Sequence, residues 1–309
     1  MATIEVHDLV RVYGTVRAVD GLSLSVGDGE IFALLGPNGA GKTTTVEILE
    51  GYRTRDAGTV RVLGCDPATG GPAYRSRIGV VLQSAGFEED FTVRELVCLQ
   101  AGLYPRAHDP DELITLVGLA GKRDTRVKGL SGGQRRRLDL ALGLAGAPEL
   151  LFLDEPTTGF DPAARHRAWD LVANLRTLGT TILLTTHYLE EAQRLADRVA
   201  VMRAGRLVTI GTPDQLRAGS DLPTVITFEL PGTGADLPPL SATPAVTGGT
   251  TVSLLSRHPV DDTWRLTGWA REHHTVLPDF AVSPPTLEDV YLSLTRDTSG
   301  EEESDGRSS

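Results

Sequence analysis

Gly36-Pro37-Asn38-Gly39-Ala40-Gly41-Lys42-Thr43-Thr44 is the stretch around which the 309-residue chain is organised. An apolar run, Ile31-Phe32-Ala33-Leu34-Leu35, leads into it and has the length and purity of a buried parallel strand. Thr45-Val46-Glu47-Ile48-Leu49-Glu50 follows as a helix that stops at Gly51. Strand, glycine-rich turn and helix together are the context that the pattern G-x-x-x-x-G-K-[ST] needs. The glycines let the backbone wrap closely, so several N–H groups can face one anion, and the helix N-terminus adds its positive end. Lys42 is spaced to reach the β- and γ-phosphates, and the Thr43 hydroxyl to sit on a magnesium ion. The stretch from Gly36 to Thr44 predicts a nucleotide-phosphate site.

Upstream, residues 3–10 alternate as a half-buried strand, and Tyr13 follows in a turn-like stretch. Residues 22–26 alternate again before the tight turn Gly27-Asp28-Gly29. A hairpin beside a nucleotide site is placed to offer the Tyr13 ring to a base, with plain packing as the other reading of that ring. Downstream, residues 58–64 and 78–82 read as strands, the second ending in Gln83 and an acidic loop with Glu88, Glu89 and Asp90. Thr92 and Glu95 have capping-box spacing and open a helix expected to turn Leu96, Val97 and Leu99 to a core. Residues 109–128 read as helical and then basic.

Leu130-Ser131-Gly132-Gly133-Gln134 opens a helix predicted over Arg135–Ala145. This second glycine-rich helix start has anion-binding chemistry, yet no strand leads into it and no lysine follows. Leu150-Leu151-Phe152-Leu153 is a buried strand that delivers Asp154 and Glu155 at its carboxyl end, where open α/β sheets place their ligands. Two adjacent carboxylates there suit two tasks, one towards a magnesium shell and one towards water. Asp161 caps a helix with Pro162 at its first position and an apolar stripe of Ala168, Leu171, Val172, Leu175 and Leu178. Residues 181–186 form the next buried strand, with His187 at its end and level with the two acids. A hairpin over 199–210 closes the region, and near Gly219-Ser220 the character changes.

The totals narrow the classes. Hydrophobic residues make up 40%, and no run approaches ~18 consecutive apolar residues, so no span is expected. The N-terminus lacks a basic region followed by an apolar core, which leads to an expected cytoplasmic location. Cys65 and Cys98 stand apart and fit a reducing compartment. A net charge of -11 argues against a nucleic-acid partner. Lys42 is one of only three lysines, so it stands out where arginine is the usual cation.

Taken in order and spacing, Tyr13, Gly36–Thr44, Gln83, Leu130–Gln134, Leu151–Glu155, Phe160-Asp161 and His187 resemble an ABC-type ATPase, over residues 3–217. Pro284-Pro285-Thr286-Leu287-Glu288-Asp289-Val290-Tyr291 is similar to the C-terminal segment of daunorubicin-resistance-type ATPase subunits, which serve drug, lipid or polysaccharide exporters. The resemblance implies an α/β P-loop NTPase fold, with an antiparallel β subdomain and a helical insertion at about 84–146, over residues 1–219. A small α/β domain would occupy 220–297 and a disordered acidic tail 298–309. ATP and magnesium are the implied cofactors. Tyr13 would stack on adenine, Asp154, Thr43 and Gln83 would serve the magnesium, and Glu155 would be the general base. His187 would contact the γ-phosphate, and Gln83 would also reach the lytic water.

Two copies would pair head to tail, most simply as a homodimer. Each ATP would lie between one phosphate loop and the partner's Ser131, Gly132, Gly133 and Gln134. A permease on a separate chain would hold the subunit at the inner face of the membrane, and the acidic loop would face a basic docking surface there. Phe160 departs from the family's usual leucine and bears on the dimer interface. The alternative is a soluble ATPase of the same family acting on ribosomes or nucleic acid without transport. One set of motifs and no sustained heptads argue against it.

Overall fold

The computed structural model describes residues 2–82, 86, 88–176, 179–230, 237–247 and 250–296. The predicted positions Gln83 and Leu178 and the tail 298–309 lie outside them. The chain divides into two compact units between Pro213 and Asp214.

In the first unit β1 (Ala2–Tyr13) and β2 (Val16–Gly27) form the predicted hairpin, and β1 runs through Tyr13 to turn at Gly14-Thr15. β3 (Ile31–Leu35) is buried at every residue and feeds α1 (Lys42–Glu50), which Gly51 ends in the left-handed conformation. β4 (Ala57–Val62), α2 (Gly71–Arg75) and β5 (Ile78–Val81) follow. Next come α3 (Val93–Ala101), α4 (Pro110–Leu116) and α5 (Gly132–Leu144). The expected helical run over 109–128 is only α4 and two short 3-10 turns, Ala120–Lys122 and Val127–Gly129. β6 (Leu150–Asp154), α6 (Pro162–Leu175), β7 (Thr181–Thr186), α7 (Leu189–Leu195), β8 (Arg198–Arg203) and β9 (Arg206–Gly211) complete the unit.

Two sheets result. The larger has the order β5-β6-β7-β3-β8-β9, parallel except for β9; the smaller, β2-β1-β4, is antiparallel. Alternation in β1 and β2 turns Ile4, Val6, Leu22, Leu24 and Val26 into a core shared with Phe32 and Leu34 of β3 and Val46 and Leu49 of α1. In α3 the capping box forms as expected, but of the three apolar residues expected to face the core only Leu96 and Val97 are buried; Leu99 is 53% exposed. Leu99 lies two residues beyond Val97, about 200° round the helix, and so points away from the face that Val93, Leu96, Val97 and Ala101 bury.

The second unit begins within α8 (Pro213–Ala218). Its strands β10 (Thr224–Glu229), β11 (Ala245–Thr247), β12 (Thr251–Ser256) and β13 (Ala281–Ser283) form an antiparallel sheet ordered β11-β12-β10-β13. α9 (Pro259–Glu272) places Leu266 against Ile226, Phe228, Val252 and Leu254, and α10 (Leu287–Arg296) ends the described chain. At the start of α9 the buried Asp262 accepts from Ser241 N at 2.9 Å and Ser256 Oγ at 2.5 Å. These bonds hold its carboxyl below the usual range against the opposing effect of burial. Among the described residues no helix is long and apolar enough to cross a membrane.

Candidate nucleotide and catalytic site

Sheet register decides what meets what. Asp154 pairs with Thr185, and Leu35 with Thr186, so β6, β7 and β3 end level. Gly36, Glu155 and His187 therefore leave the sheet along one edge. A cleft of about 1080 Å³ lies there, lined by Tyr13, Val16, Arg17 and Ala18, by Asn38 to Thr44, and by Glu155, Thr158 and His187.

The phosphate loop needs its glycines for space. A Cβ on Gly36 would stand 2.5 Å from the Met202 carbonyl oxygen. Gly41 has φ +97°, and a Cβ there would stand 2.1 Å from the Ala18 carbonyl oxygen. Lys42 is buried, and its Nζ donates to the carbonyls of Gly36 at 2.6 Å and Pro37 at 3.1 Å. Burial lowers its pKa, while Glu155 and then Asp154 act to raise it. Its ammonium thus sits over the loop within the field of both acids.

Glu155 adopts φ +46°, an uncommon conformation for a residue with a side chain. Its N–H donates to the Thr185 carbonyl at 3.1 Å and to Thr185 Oγ1 at 3.2 Å. Thr185 Oγ1 in turn donates to Asp154 Oδ1 at 2.5 Å, so one threonine orients both acids. The Glu155 carboxylate accepts from Thr158 Oγ1 at 3.1 Å and lies 3.2 Å from His187 Nδ1. His187 reaches the acid from β7's end while remaining 41% exposed to the cleft.

Ser131, Gly132, Gly133 and Gln134 do not line this cleft. Ser131 caps α5, which starts at Gly132, three residues earlier than expected. Its Oγ accepts from Gln134 N at 3.3 Å, and Gln134 Oε1 accepts from Ser131 N at 2.9 Å. A Cβ on Gly132 or Gly133 would meet nothing within 4 Å, so the first turn is open to approach from outside. In the acidic loop Glu89 pairs with Arg135 at 3.0 Å and Asp90 with Lys128 at 2.7 Å. Two of its three acids thus meet the chain's own cations, which takes away the charge argument for a basic docking surface. Phe160 lines an apolar pocket with Leu140, Leu153, Leu171 and Val172.

Several contributors escaped the sequence reading. Arg136 of α5 donates to the backbone carbonyls of Leu82, Asp154 (3.0 Å), Glu155 (3.3 Å) and Pro156 (3.0 Å), bracing the loop that bears both acids. Glu191 of α7 is wholly buried and accepts from Thr157 Oγ1 at 2.8 Å and Trp169 Nε1 at 2.9 Å. Burial raises its pKa. Both residues read as ordinary helix-surface charges by type, and only the third dimension shows what they hold. Thr185 had a signal: a hydroxyl one residue before the end of a strand that delivers His187.

Cleft, loop and paired acids on a parallel sheet define a P-loop nucleoside triphosphatase. Residues 19–158 match the family model of the ABC transporter, and residues 224–286 match that of the ABC transporter domain-containing protein-like C-terminal domain. The chain is 43% identical over 305 residues to the daunorubicin resistance ATP-binding protein DrrA3 of Streptomyces coeruleorubidus, covering 95% of this chain and 96% of the relative. It is 40% identical over 304 residues to the Nod factor export ATP-binding protein I of Paraburkholderia xenovorans (strain LB400), covering 95% and 97%. A solved ATP-binding subunit of an ABC transporter superposes with TM-score 0.63 at 28% identity, over 70% of this chain and 92% of that one. The chain belongs to the ABC transporter family, as an ATP-binding subunit and an ATPase.

Proposed function

We propose that this ATPase powers export of a drug-, lipid- or polysaccharide-like substrate through a membrane permease on a separate chain. The relatives named for daunorubicin resistance and Nod factor export support the direction. Placement at the inner membrane face follows from that permease contact. The permease docks in a groove of about 460 Å³ lined by Tyr52, Leu82, Leu103 and Tyr104. Leu103 at 71% exposure and Tyr52 at 65% leave apolar surface there for a partner to cover.

ATP occupies the cleft with adenine on Tyr13 and its phosphates in the loop from Gly36 to Thr44. Lys42 turns from the loop carbonyls to the phosphates. Magnesium fits the oxygen donors at hand, the Thr43 hydroxyl and the Asp154 carboxylate that Thr185 orients, with Gln83 as a further ligand. When bound, the ion neutralises phosphate charge; the chain's residues do the rest. Glu155 orients water and takes its proton, and His187 holds the γ-phosphate beside it.

One observation carries the reading: the second anion-binding helix start, Ser131 to Gln134, is formed and open but absent from its own cleft. Its ligand is therefore the ATP of a second copy, which makes the active state a head-to-tail dimer closed by two nucleotides. Glu155→Gln should bind ATP, slow hydrolysis by at least ~100-fold, the scale of a lost general base, and run as a dimer by light scattering with ATP and magnesium. Near-normal turnover would remove Glu155 from its role. A monomer at saturating ATP would overturn the dimer.

A further inference from the structure

Two guanidinium groups sit against Tyr13. Arg11 Cζ lies 4.7 Å from the ring centroid and Arg53 Cζ 5.7 Å. Each is anchored. Arg11 Nη1 donates to Asp56 Oδ1 at 3.0 Å, and Asp56 Oδ2 accepts from Val12 N at 2.7 Å, so the end of β1 is tied to the same carboxylate. Arg53 pairs with Glu47 of α1, and its N–H donates to the Glu47 carbonyl at 3.0 Å. The ring is thereby linked to the helix that starts at Lys42. Tyr13, Val16 and Arg17 line the nucleotide cleft; Arg11 and Arg53 do not.

We propose that Arg11 and Arg53 are positioning residues for base recognition, holding the Tyr13 ring at the cleft wall where adenine stacks on it. The inference rests on the adenine-stacking reading of Tyr13. A ring 37% exposed at a strand end would otherwise have rotamer freedom to lose on binding. Planar guanidinium groups suit this task because they stack on an aromatic face, which an ammonium cannot do. Through Glu47 and Arg53 the base platform is joined to the phosphate-binding helix, so the two ends of the nucleotide meet one connected piece of structure.

The test is equilibrium binding of ATP and of inorganic tripolyphosphate to the full chain. Arg11→Gln and Arg53→Gln should each weaken ATP about two- to fivefold, the scale of one exposed cation–π contact. Tripolyphosphate affinity should stay unchanged, which also shows that the loop is intact. In a Tyr13→Leu background neither substitution should weaken ATP further. Equal weakening of both ligands would overturn the proposal, because the arginines would then act as charges on the phosphates. Unchanged ATP affinity in both arginine variants, with Tyr13→Leu weakened, would overturn it and leave Tyr13 in its role. Unchanged ATP affinity in Tyr13→Leu would remove the stacking reading itself and the proposal with it.

Discussion

Glu50 closes α1 with only 2% of its surface exposed, and burial, Asp154 and Glu47 together push its pKa from 4.5 to about 8. A folded pKa above the unfolded one means that the native state holds the proton more tightly. The associated stability is complete below about pH 4.5 and is lost as pH rises through 8. Asp139, beside Arg136 on α5, works in the same direction: burial raises it to about 6. Glu50→Gln removes the larger effect. Thermal melts of both proteins across pH 5 to 9 should show the variant gaining on the parent as pH rises, with the widest gap above pH 8. A gap that does not change with pH would mean that the folded chain does not hold Glu50 protonated. No residue pattern revealed this. Glu50 reads as an ordinary helix-end acid, and its burial depends on what α1 packs against.

The strand–loop–helix element β3–α1 is where local chemistry and tertiary fit meet. Gly41 needs its left-handed backbone for the turn, which the motif implies, and needs empty space beside Ala18 of β2, which the motif does not. Gly41→Ala should therefore cost more than loss of glycine flexibility in a helix start, because its Cβ would overlap a backbone carbonyl at 2.1 Å. Neither that carbonyl nor the helix can yield without moving the loop. The expected result is loss of ATP binding by at least ~10-fold, with the chain still folded by circular dichroism, since the clash lies at the loop and not in the core. Retained affinity would show that β2 gives way. The α5 start makes a complementary case. Ser131 and Gln134 form an ordinary capping box, so the same residues that resemble a family signature also satisfy a plain helix-start rule. The local pattern therefore located the helix start and left the ligand to be argued from the cleft.

At the scale of the molecule, the groove between α2, β5, α3 and α5 is the place where work would pass to a permease. Tagged full chain recovered from detergent-solubilised membranes of its host should bring down a polytopic membrane protein at comparable stoichiometry. Leu103→Asp should lose that partner while basal ATP turnover persists, because Leu103 lines the groove and not the nucleotide cleft. Capture undiminished by Leu103→Asp would move the docking surface elsewhere, and ribosomal proteins in place of a membrane protein would favour the soluble alternative. By itself the sequence determined the phosphate loop, the buried strands of the parallel sheet and the level ends that carry Asp154, Glu155 and His187. Those signals are local: short apolar runs, glycines at fixed offsets and acids at a strand's end. Tertiary structure alone decided that Glu89 and Asp90 meet Arg135 and Lys128, that Arg136 braces the loop of the two acids, that Glu191 holds Thr157, and that Arg53 meets the Tyr13 ring. These facts depend on side chains tens of residues apart sharing one place. Contacts at such separation leave no periodicity in the chain, so they exist only once the sheets and helices have packed.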